Sequence, residues 1–402
     1  MPELLAPAGD MEMLKAAIDA GADAIYFGIR GLNMRANSRS FTKDDLAEIS
    51  SSCHEKGVKA YLALNTIIYE EELAFIKDIL TAAKDAGIDS VICWDHSVIS
   101  IAKELGMEFH ISTQASISNS SSAEFYRSQG ATRCVLAREV TLEELEILKR
   151  NTGMKIEIFA HGAMCLSESG RCFMSEHLYG MSANRGQCIQ PCRRSYDIID
   201  PETRKELHIE DNYVMSPKDL CTLSFLEKLV PYADALKIEG RGRSPEYVKI
   251  VVEAYKEALS LIDKGEYTQE KKEMLIEKVS QVYNRGFSSG FYMGRPVEEF
   301  TDSYGSKATR RKRYVGYVRN YYKRPKVAEV ILEAGSVKRG DSLLIIGPTT
   351  GVIEHALSKM MVDDTEVESA GKGNTITFKT GVITRKNDKV YVWEMEKGEK
   401  TN

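Results

Sequence analysis

The sequence predicts an α/β chain: a (β/α)8 TIM-like barrel with a Cys-rich insertion after its seventh strand, followed by a small C-terminal all-β barrel domain. Three observations predict it. Eight short runs, nearly continuous in apolar character, recur through the first 240 residues, and a single amphipathic helical pattern lies between most of them. From about residue 314 the pattern changes to short alternating strands separated by Gly and Asp turns. Apolar strands joined by single helices mean a parallel sheet covered by helices. Eight of them in about 250 residues fit a closed barrel. A doubly wound open sheet is the alternative, but no Gly-x-Gly-x-x-Gly follows the first strand, which weighs against a dinucleotide fold.

The expected barrel strands are 3–7, 24–28, 59–64, 90–94, 108–113, 133–137, 155–161 and 235–239. Helical periodicity covers 10–20, 42–56, 70–86 and 142–151. Thr42 with Asp45, and Thr141 with Glu144, have the hydroxyl-to-carboxylate spacing of a capping box. Gly21, Gly57, Gly87 and Gly106 stand where helices should stop before the next strand. The barrel is assigned to 1–300, with a cysteine loop at 162–213, a basic linker at 301–313 and the β domain at 314–396. Loops as long as the one before strand 235–239 are usually functional, and in a barrel they emerge at the catalytic face.

With 43% hydrophobic and 28% charged residues among 402, the chain is neither disordered nor fibrous. No stretch approaches the ~18 apolar residues of a membrane span, and the first ten residues lack a signal-peptide pattern, so a cytoplasmic location is expected. The net charge of −5 is unevenly spread: residues 303–402 carry 19 Lys/Arg against 12 Asp/Glu. A basic appendage on an acidic body suggests a polyanionic partner.

Cys165, Cys172, Cys188 and Cys192 lie within 28 residues, spaced C-x6-C-x15-C-x3-C, and Cys221 follows. In a reducing compartment such a group points to metal binding or catalysis rather than disulfides. Zinc sites usually use two tight knuckles, and only the second pair here is tight. Four thiolates around an iron–sulfur cluster tolerate looser spacing. An iron–sulfur cluster is therefore expected, with zinc as the alternative and either Cys192 or Cys221 as the fourth ligand. Cys53, Cys93 and Cys134 fall inside expected helices or strands and read as core.

The run Glu157-Ile158-Phe159-Ala160-His161-Gly162-Ala163-Met164-Cys165-Leu166-Ser167-Glu168-Ser169-Gly170-Arg171-Cys172 closely resembles the signature of peptidase family U32. The likeness extends to Glu3-Leu4-Leu5-Ala6-Pro7-Ala8-Gly9, Ala183-Asn184-Arg185-Gly186-Gln187-Cys188, Ser216-Pro217-Lys218-Asp219-Leu220, Lys237-Ile238-Glu239-Gly240-Arg241 and Asn284-Arg285-Gly286-Phe287. The family was named for collagenase-like proteases. The resemblance implies more: members hydroxylate tRNA wobble uridine to 5-hydroxyuridine or a cytidine of ribosomal RNA, or serve ubiquinone synthesis. It implies a 4Fe–4S cluster on the cysteine loop, prephenate as co-substrate and a protein partner from the same family. The extra β domain favours the RNA branch.

Direct proteolytic machinery is not visible. There is no Gly-x-Ser-x-Gly and no His-Glu-x-x-His, and the seven histidines are scattered. His161 and Cys165 could form a thiol–imidazole pair, but Cys165 is better used as a cluster ligand. Residues 307–326 hold nine Lys/Arg and no acid, with tyrosines interleaved. Arg310, Arg311, Lys312 and Arg313 could track phosphates while Tyr321 and Tyr322 stack bases; the alternative is a solvated linker. At the barrel mouth His161, Arg138, Glu139, Lys237, Glu239 and Arg241 are the candidate catalytic or dicarboxylate-binding groups, although Arg138–Glu139 and Lys237–Glu239 could equally be bracing ion pairs. The favoured reading is an iron–sulfur-dependent RNA hydroxylase, forming 5-hydroxyuridine at the tRNA wobble position with prephenate. The alternatives are a collagenase-like peptidase and a non-enzymatic RNA-binding protein with a structural metal.

Overall fold

Eight parallel strands close on themselves in the computed structural model, which describes residues 1–34, 41–207, 213–296, 299–303 and 305–396. Positions 208–212 of the expected loop 162–213 lie outside the described residues. The strands are β1 (Glu3–Pro7), β2 (Ala24–Gly28), β3 (Lys59–Ala63), β4 (Ser90–Cys93), β5 (Phe109–Ile111), β6 (Arg133–Val135), β7 (Lys155–Gly162) and β8 (Ala235–Ile238). Each pairs with the next in sequence, and β8 hydrogen-bonds to both β7 and β1, which closes the barrel. The strands are buried on both faces, which is why they read as continuous apolar runs.

The covering helices begin where the capping chemistry places them. The Asp10 carboxylate accepts from the Met13 amide at 2.9 Å. Thr141 and Glu144 form the reciprocal capping box. Gly57, past the helix Leu46–His54, sits at φ +69°, a left-handed conformation that costs a glycine nothing. The outer faces of the strands and the inner faces of the helices share one large apolar core.

The barrel interior is different. A small apolar layer of Leu5, Ala24, Tyr26, Tyr61, Ala63 and Ile92 shares it with charged side chains. Arg133 Nη1 donates to Glu3 Oε1 at 2.7 Å and to Glu157 Oε2 at 3.3 Å. Lys237 Nζ donates to Glu157 Oε1 at 2.8 Å, and the Tyr61 hydroxyl donates to Glu3. Burial pushes the Glu157 carboxyl up, but Lys237 and Arg133 outweigh it and hold the group below the usual carboxylate range.

The C-terminal unit corrects the expected barrel. Its main sheet has eight antiparallel strands, running from Gly351–Ala356 at one edge to Thr365–Val367 at the other. No pairing among the described residues joins those edges, so the sheet is open. The long strand Arg310–Tyr322 pairs with Lys389–Met395 along its first half and with Val327–Leu332 along its second. Irregularities near Gly316 and Arg319 bend it around a separate core that includes Val318, Val330, Ile345 and Val390. Closure is unnecessary because the Gly351–Ala356 edge is packed against the helix Met11–Asp19, which protects it as a strand would. Arg310 to Arg313, placed in a linker by the sequence reading, lie inside the strand.

The interior ion network predicts a specific weakness. Glu157→Gln leaves Arg133 and Lys237 in the dry interior with half their compensation, and should cost about 3–5 kcal/mol of unfolding free energy. Urea denaturation checks this; a loss under about 1 kcal/mol would mean that water reaches the barrel centre.

Candidate active site

Residues just past the strand ends converge at the C-terminal mouth of the barrel, as barrel geometry requires. They line a cavity of about 210 Å³. Its floor includes Tyr26 from β2, Phe159 from β7 and Lys237 from β8, with Arg138, Glu239 and Arg241 on the loops that follow. Its roof is the insertion after β7, including Cys165, Cys172, Cys188 and Cys192.

The roof is tied down at identifiable points. Gly162 ends β7 at φ +112°, and a Cβ there would lie 2.5 Å from the Glu239 carbonyl oxygen, so glycine alone lets the insertion turn over β8. Arg185 is bidentate to Glu72 and also donates to the Ile67 carbonyl. Arg193 donates to the carbonyls of Pro217, at 2.7 Å, and Met164. The insertion returns through Asp219–Cys221, which pairs antiparallel with the end of β7.

Each expected site residue can now be placed. Arg138, Lys237, Glu239 and Arg241 line the cavity. The Arg138 guanidinium carbon stands 4.2 Å from the Phe159 ring centre rather than against its neighbour Glu139, which is exposed and does not line the cavity. Lys237 pairs with Glu157 instead of Glu239, and its ammonium lies 4.4 Å from the Tyr26 ring centre. Arg241 Nη1 donates to Asn33, and Glu239 accepts from the Tyr26 hydroxyl at 3.3 Å. Glu157 is the residue the sequence reading missed. An acid on an otherwise apolar strand was the available signal, because such a group must meet a cation inside.

His161 is not in the cavity. It is 2% exposed, enclosed by Tyr247, Tyr255 and Phe287, with Nδ1 3.4 Å from the Tyr255 hydroxyl. Burial pushes its pKa down to about 4. Cys221 sits opposite it in the sheet pairing, fully enclosed, with burial pushing its thiol up to about 11. Neither residue is placed to work with a roof thiol.

The four roof cysteines are free thiols, each partly exposed. The Met174 amide donates to Cys172 Sγ and the Gln190 amide to Cys188 Sγ, both at 3.4 Å. Burial raises the Cys192 pKa; the Arg193 charge opposes this and the other three thiols add to it. Among the described residues, no group of three or more His, Cys, Asp or Glu is arranged to hold a metal ion. The expected cysteine cluster is corrected accordingly. Cys221 is locked behind β7, and among the described residues the remaining thiols are not grouped as a 4Fe–4S cluster or a zinc ion would need. Cys53, Cys93 and Cys134 are buried core residues, as expected.

The sequence model of peptidase family U32 matches residues 9–302. The chain belongs to that family. A collagenase of Porphyromonas gingivalis is 43% identical over 97% of both chains. An uncharacterized protease of Methanocaldococcus jannaschii is 39% identical over 98% of both. A Bacillus subtilis protein named tRNA hydroxylation protein P1 is 33% identical over 90% of this chain and 87% of its own. The expectation that this U32 chain stands nearest the tRNA hydroxylation proteins is thereby corrected, since the collagenase matches more of the chain at higher identity. Membership of a peptidase family supports an enzymatic role. Among the described residues no helix is long and apolar enough to cross a membrane.

The buried imidazole gives a pH signature. Its pKa is about 6.5 in an unfolded chain and about 4 in the fold, so the unfolded state binds more protons between those values. Stability should therefore fall as pH drops from about 6.5 toward 4, and level off in this contribution below that. His161→Gln should flatten that slope while leaving the contribution of the other buried histidine, His110, in place. Denaturation midpoints across that range test this, and an unchanged slope would show that His161 does not carry it.

Proposed function

We propose that the chain is a thiol-dependent peptidase acting at the barrel mouth. The observation that carries this reading is the 43% identity to a collagenase across 97% of both sequences. The cavity supports it chemically. It offers accessible thiols above a floor with positive charge from Arg138, Lys237 and Arg241, and one lining carboxylate, Glu239. In this reading a roof cysteine attacks the peptide carbonyl after giving its proton to Glu239. The cations stabilise the oxyanion, the amine leaves with that proton, and water hydrolyses the thioester. His161 has no part in it, because its ring is enclosed in the core.

A second reading, contact with tRNA, is favoured by the likeness to tRNA hydroxylation protein P1. Prephenate, a dicarboxylate, would in that case meet Arg138, Lys237 and Arg241. The basic strand proposed to hold RNA is largely engaged in ion pairs, within its domain and to the barrel. Arg310 pairs with Glu354, Arg311 and Arg313 with Glu394, and Lys312 with Glu246. The Tyr322 hydroxyl donates to Glu329, while Tyr321 packs on the domain core. The exposed turn with Lys323, Arg324 and Lys326 is the better candidate for a phosphate backbone.

Purified full-length protein incubated with gelatin and a fluorogenic peptide library tests the first reading. Cleavage should be blocked by iodoacetamide and lowered about a thousandfold or more by Cys→Ala at the nucleophile, one of Cys165, Cys172, Cys188 or Cys192. His161→Gln should keep its activity at pH 7.5. No cleavage, or cleavage indifferent to all four cysteine changes, would sink the proposal. Tight, salt-dependent binding of bulk tRNA under the same conditions would move the weight to the second reading.

A further inference from the structure

A second cavity, of about 360 Å³, adjoins the first; Gln190 and Arg193 line both. Its walls bring together three guanidinium groups, Arg193, Arg194 and Arg285, with the hydroxyl-bearing Ser216 and Ser303, and among the described residues no carboxylate lines it. We propose that this cavity binds a phosphoryl anion, either inorganic phosphate or a phosphomonoester group.

Arg285 is the decisive residue. It is 2% exposed and ranks among the largest fully buried side chains. Its Nη2 donates to Asp219 Oδ1 at 2.6 Å, but Nε and Nη1 have no hydrogen-bond partner among the described residues. Buried guanidinium donors are rarely left unmet, because each lost partner costs the full desolvation of the group. An oxygen-rich guest that draws the Arg285 head into the adjoining cavity would supply the missing acceptors.

The charge balance selects the guest. Asp219 offsets Arg285, so Arg193 and Arg194 remain. Arg193 spends its terminal nitrogens on main-chain carbonyls and Ser216, and Arg194 Nη1 donates to the Tyr179 hydroxyl at 2.7 Å. These partners are neutral, so among the described residues two positive charges have no ion-pair partner at the wall, which suits a dianion. Donors from three arginines and two serines surround the space, more than the two oxygens of a carboxylate can use but suited to a tetrahedral phosphate. Burial and the neighbouring Arg285 charge together push the Arg193 pKa down to about 10, a crowding of cations that an anion would relieve.

Full-length protein titrated with sodium phosphate, at ionic strength held constant with sodium chloride, tests the proposal by calorimetry and thermal melting. One phosphate per chain should bind saturably and raise the melting temperature beyond the chloride control. Arg194→Gln, an exposed position, should leave the unliganded melting temperature unchanged and weaken binding about three- to tenfold. Arg285→Lys, which keeps the charge but loses the planar fork, should weaken it by about tenfold or more. Glycerol phosphate binding as tightly as inorganic phosphate would identify an organic phosphomonoester as the guest, and selective binding of inorganic phosphate would identify the free ion. No saturable binding beyond the chloride control, or equal affinity in wild type and Arg194→Gln, would overturn the assignment.

Discussion

Closing eight parallel strands into a ring removes the sheet's edges, but it also encloses whatever side chains point inward. In this protein those include Glu3, Arg133, Glu157 and Lys237, and the ring can close only because their charges cancel along a continuous chain of contacts. Strand register makes the cancellation possible. Glu157 stands level with Ala235 and Val135, which puts the Arg133 and Lys237 side chains within reach from the strands on either side. The upper end of the chain, Lys237, is also part of the cavity floor. The same set of contacts therefore sustains the barrel and holds a cation at the mouth without freedom to drift.

The insertion after β7 is held by the opposite strategy. It buries little apolar surface of its own, and its cysteine stretch is kept over the mouth by arginines bonded to main-chain carbonyls and to Glu72. Such anchors fix position without dense packing. They leave the roof thiols partly open while the strand-borne residues beneath them are enclosed, so the cavity combines a rigid floor with an accessible roof.

Much of this was legible in the sequence. The barrel strands could be read because burial on both faces produces runs that no solvent-facing strand would show, and the capping pairs at Thr42 and Thr141 marked helix starts by local chemistry alone. What failed depended on distance through space. Cys221 and His161 share a sheet pairing, which spacing along the chain cannot reveal, and the cysteine spacing said nothing about whether the fold draws the thiols together. Alternating apolar residues in the C-terminal part specify strands but not whether the last finds the first. The basic run at 310–313 looked free because its acidic partners, Glu246, Glu354 and Glu394, come from elsewhere in the chain.

The edge strand Gly351–Ala356 does more than end a sheet. Val352 from this strand, with Leu344 and Ile346 from the next and Trp393 from the one beyond, belongs to the same apolar core as the barrel helices. Lys249 donates to the Val352 carbonyl at 3.0 Å, and Lys312 bridges to Glu246 at 2.9 Å. The seam is thus a continuation of the core between barrel strands and helices rather than a hinge between two beads. Detaching the tail would strip an oily facet from the helix pair Met11–Asp19 and Pro245–Asp263, and a freed barrel would seek another surface to cover the gap.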